Sequence, residues 1–124
     1  MKKVMIVDDS ALTRQLVRAA LSMILGTTTQ FAEAEDGAAA LKHLVAKPVD
    51  LIVCDLNMPV LDGHGLIARV RNMGHHRSTP VIVLSSLVND AKTAQLKAAG
   101  ANVVLKKPFT NQQIRDSLRV VGLG

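Results

Sequence analysis

Apolar residues gather in short unbroken runs at 4–7, 51–54, 81–84 and 103–105. Each run is rich in β-branched residues and ends at a polar or turn-forming residue. At 51–54 this pattern predicts a strand covered on both faces, as in a parallel sheet, and the other runs read as further strands. A further stretch at 28–34 alternates apolar and polar residues, which predicts a half-covered edge strand. The segments between the strands carry helical periodicity. Residues 12–25 form the first predicted helix, with Leu12, Leu16, Ala20 and Ile24 as its buried stripe and Gly26 as its stop. Arg14 and Arg18 lie on another face of it and read as solvated. Residues 38–46 predict a short helix with Leu41, Leu44 and Val45 inward. Residues 66–73 predict a third helix, and residues 91–99 a fourth, capped by Asn89-Asp90 and ended by Gly100. Thr110 and Gln113 have capping-box spacing and open a last helix through Val121, with Ile114, Leu118 and Val121 inward and Arg115 and Arg119 outward.

Strand and helix thus alternate five times, which implies right-handed βαβ crossovers around a parallel sheet. A chain of 124 residues suffices for one domain with a real core, and no repeat or linker divides it, so residues 1–124 are expected to form one domain.

Composition narrows the functional classes. No apolar run approaches the roughly 20 residues of a membrane span, and the basic-then-apolar start halts at Asp8-Asp9, too soon for a signal peptide. The sole cysteine, Cys54, fits a reducing cytoplasm and reads as a buried inert thiol. Net charge is +5, yet Trp and Tyr are absent and only two Phe occur, so stacking platforms for nucleic acid are missing. A partner protein with acidic character, or simply a solvated basic surface, is the expected reading of that charge, and no direct nucleic-acid binding is expected. His75 and His76 are adjacent, but sequence neighbours are expected to point apart and no third ligand lies near, so no metal role is assigned to them.

The ends of the strands carry the chemistry. The first ends in Asp8-Asp9, the third in Asp55, the fourth in Ser85 and the fifth in Lys107. A parallel sheet brings these ends to one edge, where ligands of open α/β sheets bind. Three crowded carboxylates would raise one another's pKa unless cations neutralised them. Lys107 supplies one charge, and a hard divalent cation such as Mg²⁺ would supply the rest. Such a site suits phosphoryl transfer to a carboxylate. Taken one at a time, these residues read as well as loop caps or a structural ion cluster.

The segments Val7-Asp8-Asp9-Ser10, Asp55-Leu56-Asn57-Met58-Pro59 with Asp62-Gly63, Val83-Leu84-Ser85-Ser86 and Lys107-Pro108-Phe109-Thr110 together resemble the receiver domain of two-component response regulators. The resemblance spans essentially the whole chain and is nearest to single-domain, CheY-like chemotaxis regulators. It implies a flavodoxin-like, doubly wound five-stranded sheet of order 2-1-3-4-5. It implies Asp55 as phosphoacceptor, and Mg²⁺ held by Asp9, Asp55 and the backbone carbonyl of Asn57, with Asp8 acting through a water. It further implies Lys107 on the phosphoryl group before a cis bond to Pro108, Ser85 as the switching hydroxyl, and the amide of Ser86 facing the phosphoryl group. Two positions depart from the family pattern. Val104 stands where an aromatic switch residue is usual, and Leu87 stands where chemotaxis relatives can carry a polar residue near the attacking water.

The expectation is therefore a cytoplasmic phosphoacceptor domain rather than an enzyme. Its phosphodonor would be a histidine kinase or phosphotransfer protein. Its output face would be the fourth helix, fifth strand and fifth helix, and its target an acidic protein. From Asp90 onward, Lys92, Lys97, Lys106, Lys107, Arg115 and Arg119 oppose only Asp90 and Asp116, which makes that face basic. Two other readings compete. One is the receiver fragment of a longer, DNA-binding regulator. The other is a small Mg²⁺ phosphatase passing through an aspartyl phosphate, against which stands Asn57 where the haloacid dehalogenase type wants a second Asp.

Overall fold

The computed structural model describes residues 2–123. Along the chain run β1 (Lys3–Val7), α1 (Ala11–Leu25), β2 (Gln30–Ala34), α2 (Gly37–Ala46), β3 (Leu51–Asp55), α3 (Gly63–Arg71), a 3₁₀ turn (Gly74–His76), β4 (Val81–Ser85), α4 (Asp90–Ala99), β5 (Val103–Lys106) and α5 (Asn111–Val120). The strands form one parallel sheet in the order β2-β1-β3-β4-β5, as the resemblance to receiver domains implied. β2 is an edge strand, which accounts for its alternating pattern. The central strands β3 and β4 are buried at every residue, which accounts for their unbroken apolar runs.

Successive residues of each strand face opposite layers. Met5 and Val7 of β1 join Ile52, Cys54, Val81 and Val83 in a core closed by α2, α3 and α4, through Leu44, Leu66, Ile67 and Leu96. Val4, Ile6, Leu51, Val53, Ile82 and Leu84 face the other way, onto Val17, Leu21, Ile114 and Leu118 of α1 and α5. Fully burying one such Leu or Ile contributes about 1.5–3 kcal/mol, so the two layers hold the sheet as a rigid platform. The sequence order reverses between β1 and β3, whose register pairs Val7 with Cys54. That pairing sets Asp8 beside Asp55 at the carboxyl edge.

Several helical details differ from expectation. In α1, Leu12 and Leu16 are exposed, at 65% and 56%, while Val17, Ala20 and Leu21 are buried. An i, i+4 repeat advances about 40° per step beyond a full turn, so a stripe that reaches the core at Ala20 and Ile24 lies off it at Leu12 and Leu16. The true face is 17, 20, 21 and 24, the i, i+3, i+4, i+7 pattern. Val45 of α2 is likewise exposed, because Gly37, Ala40 and Leu44 already form the inward face. Val121 is only half-buried, beyond the end of α5. α3 begins earlier than expected, at Gly63, because the Asp62 side chain accepts the Gly65 N–H and caps it. Nor do the two histidines point apart. The 3₁₀ turn brings their ring centres to 4.4 Å with the planes tilted by 52°, with His75 Nε2 against the Leu44 carbonyl and buried His76 Nδ1 against Thr79 Oγ1.

Candidate phosphoacceptor site

β1 delivers Asp8 and Asp9 at the point where the chain turns into α1. The Asp8 N–H donates to Ala34 O of β2, which extends the pairing by one residue. Asp8 Oδ1 accepts the Ser10 N–H at 2.9 Å, while Ser10 Oγ caps α1 by accepting from Thr13 N–H. β3 delivers Asp55, and the Leu56 N–H donates to Leu84 O, so the chain leaves the sheet only after Asp55 is set. The following loop packs close beneath: at Gly63 a Cβ would lie 2.5 Å from the Asp55 carbonyl oxygen, so only glycine fits.

Lys107 comes from the end of β5, where its N–H donates to Ser85 O and its bond to Pro108 is cis. Its ammonium reaches across the edge and lies 2.9 Å from Asp8 Oδ2 and 3.2 Å from Asp55 Oδ1. Asp8 and Asp55 are buried and Asp9 is exposed. One carboxylate oxygen from each of the three lies within 4.8 Å of the others.

Burial raises the Asp55 pKa, and the neighbouring Asp8 charge raises it further. The Lys107 charge and hydrogen bond and the Asn57 N–H offset only part of this. Burial alone would lower the Lys107 pKa, but the bond and charge of Asp8, then those of Asp55, outweigh it and leave the ammonium more firmly protonated than usual. Directly before the phosphoacceptor candidate lies Cys54, fully buried, its thiol pushed up to about 12 by burial and then by Asp55 and Asp8. It is an inert packing residue, as expected.

A carboxylate held partly against its own ionisation, beside a lysine and two further acids at a sheet's carboxyl edge, is suited to binding a cation and accepting a phosphoryl group. The model of the response regulator receiver domain matches residues 4–119. The chain belongs to the response regulator receiver family. This receiver is 33% identical over 119 residues to the "Probable chemotaxis protein CheY" of Rhizobium etli, covering 96% of this chain and 91% of the relative. It is 31% identical to chemotaxis protein CheY1 of Helicobacter pylori, covering 96% of this chain and 95% of the relative. Among solved structures, chemotaxis response regulator CheY4 of Vibrio cholerae superposes with a TM-score of 0.88 at 33% identity, covering 98% of both chains. The receiver thus serves two-component signalling and resembles the chemotaxis regulators, and neither the phosphatase nor the DNA-binding reading is favoured.

Of the residues singled out from sequence, the structure brings together Asp8, Asp9, Asp55 and Lys107. Ser85 is buried at the end of β4, where its hydroxyl donates to Leu87 O and accepts from Leu87 N–H, closing its own loop rather than touching the carboxylates. Ser86 is exposed at the start of that loop, and Asn57 is exposed two residues beyond Asp55.

Sequence reasoning missed Arg14. Its side chain is mostly buried rather than solvated, bonded to the Asp8 carbonyl and to Glu33, and Arg18 also pairs with Glu33 while lying over the Phe31 ring. Its place four residues after the cap Ser10, one turn from the strand end, was the available signal.

Proposed function

We propose that Asp55 accepts a phosphoryl group from a phosphohistidine of a histidine kinase or phosphotransfer protein, with Mg²⁺ as the cofactor. The observation that carries this reading is the charge balance of the site. Three clustered carboxylates against one ammonium leave a formal deficit of two, which a divalent cation with oxygen ligands neutralises. Asp9, Asp55 and the Asn57 carbonyl would hold the cation, with Asp8 acting through a water. Bound there, it would neutralise charge on the phosphoryl oxygens. A structure of the response regulator Rcp1, 25% identical with a TM-score of 0.77 and covering 98% of this chain, is of its Mn(2+)-bound form.

An Asp55 carboxylate oxygen attacks phosphorus, the phosphorus–nitrogen bond breaks, and the imidazole keeps the electron pair. Lys107 transfers its hydrogen bond from the Asp55 carboxylate to a phosphoryl oxygen. The Ser85 hydroxyl leaves Leu87 and turns to the phosphoryl group, which also receives the Ser86 N–H. Rearrangement of the Ser85–Leu87 turn then reaches α4. The phosphodonor docks over a cleft of about 370 Å³ beside the site, lined by Thr13, Leu16, Lys107, Pro108, Phe109 and Asn111.

Output is protein binding at the face of α4, β5 and α5. Val104 is half-buried against the core layer that holds Leu96, and Lys106 beside it is exposed. A partner with an apolar anchor and acidic flanks fits that face. Among the described residues no helix is long and apolar enough to cross a membrane. The compartment in this reading is the cytoplasm, which the sole, unpaired cysteine suits. It assists its own phosphorylation and dephosphorylation and turns over no external substrate.

Intact-mass measurement after treatment with acetyl phosphate tests the assignment. One phosphoryl group per chain is expected with Mg²⁺, and none with chelator or in Asp55→Asn. Labelling that persists in Asp55→Asn, or that ignores the chelator, refutes it. Hydrolysis of a generic phosphomonoester with repeated turnover would restore the phosphatase reading.

A further inference from the structure

Arg14 projects from the first turn of α1 with its side chain only 18% exposed. Nη1 donates to the main-chain carbonyl of Asp8 at 2.5 Å, and Nε donates to Glu33 Oε1 at 3.1 Å. The other Glu33 oxygen accepts from Arg18 Nη1 at 3.1 Å, and the Arg18 guanidinium lies 5.0 Å from the centre of the Phe31 ring. Arg14 is thus braced from β2 on one side and grips the end of β1 on the other.

The group it grips matters. The Asp8 carbonyl belongs to the planar peptide that joins Asp8 to Asp9, so holding that oxygen sets the plane in which Asp9 begins. Asp8 needs little further help, since Ser10 N–H and the Lys107 ammonium already hold its two carboxylate oxygens. Asp9 is exposed, and its carboxylate has no hydrogen-bond or ion-pair partner among the described residues. Its direction depends on its backbone.

We propose that Arg14, braced by Glu33, is a positioning residue that orients the Asp8–Asp9 peptide and so aims the Asp9 carboxylate at the divalent cation. This rests on the reading of Asp8, Asp9 and Asp55 as the cation site. The sign of the effect separates positioning from charge. Removing a cation near three carboxylates would, by Coulomb's law, tighten Mg²⁺ binding. Loss of orientation weakens it, and groups that orient metal ligands typically contribute about 10–100-fold in affinity.

Titration calorimetry with Mg²⁺ alone tests this on the full chain, with far-UV circular dichroism confirming each variant's fold. Arg14→Gln is expected to weaken Mg²⁺ about tenfold, at the lower end of that range. Arg14→Lys, which keeps the charge but not the two-pronged grip, should recover part of the loss. Glu33→Gln should show a smaller loss, and Arg14→Gln with Glu33→Gln should be no worse than Arg14→Gln alone, because Glu33 acts through Arg14. In an Asp9→Asn background, Arg14→Gln should change the affinity less than twofold. Should Arg14→Gln fail to fold, Glu33→Gln alone and in the Asp9→Asn background carries the same test. Wild-type or tighter affinity in folded Arg14→Gln overturns the proposal, as does an undiminished loss in the Asp9→Asn background. Failure of the wild-type chain to bind Mg²⁺ is a different result, and it overturns the cation site and the positioning role together.

Discussion

Replacing Gly63 by alanine tests whether the loop after β3 supports the phosphoacceptor through backbone contact. The added Cβ would sit 2.5 Å from the Asp55 carbonyl oxygen and 2.9 Å from Leu56 Cα, distances that real Cβ atoms essentially never show. Both neighbours are main-chain atoms at the end of a buried strand, and neither can rotate aside. The Gly63 N–H also donates to Leu56 O at 2.9 Å, so the helix cannot withdraw without losing that bond. The strand end or the start of α3 must therefore move by about half an ångström or more. Overpacking of this kind costs about 1–3 kcal/mol. For a chain of this size that corresponds to a fall in Tm of roughly 4 °C per kcal/mol. Gly65→Ala is the control: there the nearest atom, at 2.7 Å, is the tip of the Leu61 side chain, which can swing away. The helical preference of alanine, worth about 1 kcal/mol over glycine, then offsets the contact. Urea and thermal unfolding followed by far-UV circular dichroism provide the assay, since the chain has no Trp or Tyr to report by fluorescence. Acetyl phosphate labelling of Gly63→Ala should also slow, because the displaced atoms carry Asp55. Equal stability of the two variants, or a Gly63→Ala protein that labels at the wild-type rate, would refute the steric argument.

Lys107→Ala is expected to fold and to lose phosphorylation-dependent partner binding, since its ammonium faces Asp8 and Asp55 rather than the core; full coupling in that variant would contradict its role, and Lys106→Ala should spare the chemistry. Acid should loosen the fold through His76, whose pKa is lowered by burial and then by His75 and Arg71. A group held neutral in the fold stabilises it fully above its unfolded pKa of about 6.5 and loses that contribution as pH falls below it. Urea midpoints should therefore drop between pH 7.5 and 5.5, and drop less in His76→Gln; identical slopes would dismiss the histidine. If the basic face of α4, β5 and α5 guides an acidic partner, stopped-flow association should slow with added salt and in Lys97→Glu or Lys106→Glu, with Asp55 labelling unchanged.

The sheet was legible because central parallel strands buried on both faces leave unbroken apolar runs, and because the runs end in charged or hydroxyl residues. The four residues that meet at the carboxyl edge, Asp8, Asp9, Asp55 and Lys107, come from the ends of three strands, and βαβ topology alone suffices to gather them. Features that depend on rotation and reach were harder to read. The stripe of α1 was misassigned because a repeat of four passes for one of 3.6 over three steps, while the 40° gained at each step leaves Leu12 and Leu16 outside the buried face. Gly63 and Gly65 disguised the start of α3, whose cap is Asp62. Arg14 read as a surface charge because its two acceptors, a main-chain carbonyl and Glu33, belong to other elements. The rest state of the Ser85 hydroxyl, tied into its own turn, has no signature in the residue type.

The thiol of Cys54 sits one residue before Asp55 with no exposed surface. Because it is the sole cysteine of the chain, it can serve as a built-in clock for opening of the central strand. A disulfide reagent or alkylating probe can reach it only when β3 parts from its covering layers, so the modification rate in native buffer reports how often that happens. Cation binding or phosphorylation at the neighbouring carboxylate would register as a slower clock, without any label attached to the working edge. The same seclusion leaves the surface free of competing thiols, so a cysteine introduced on α4 would carry a spectroscopic tag with a silent background.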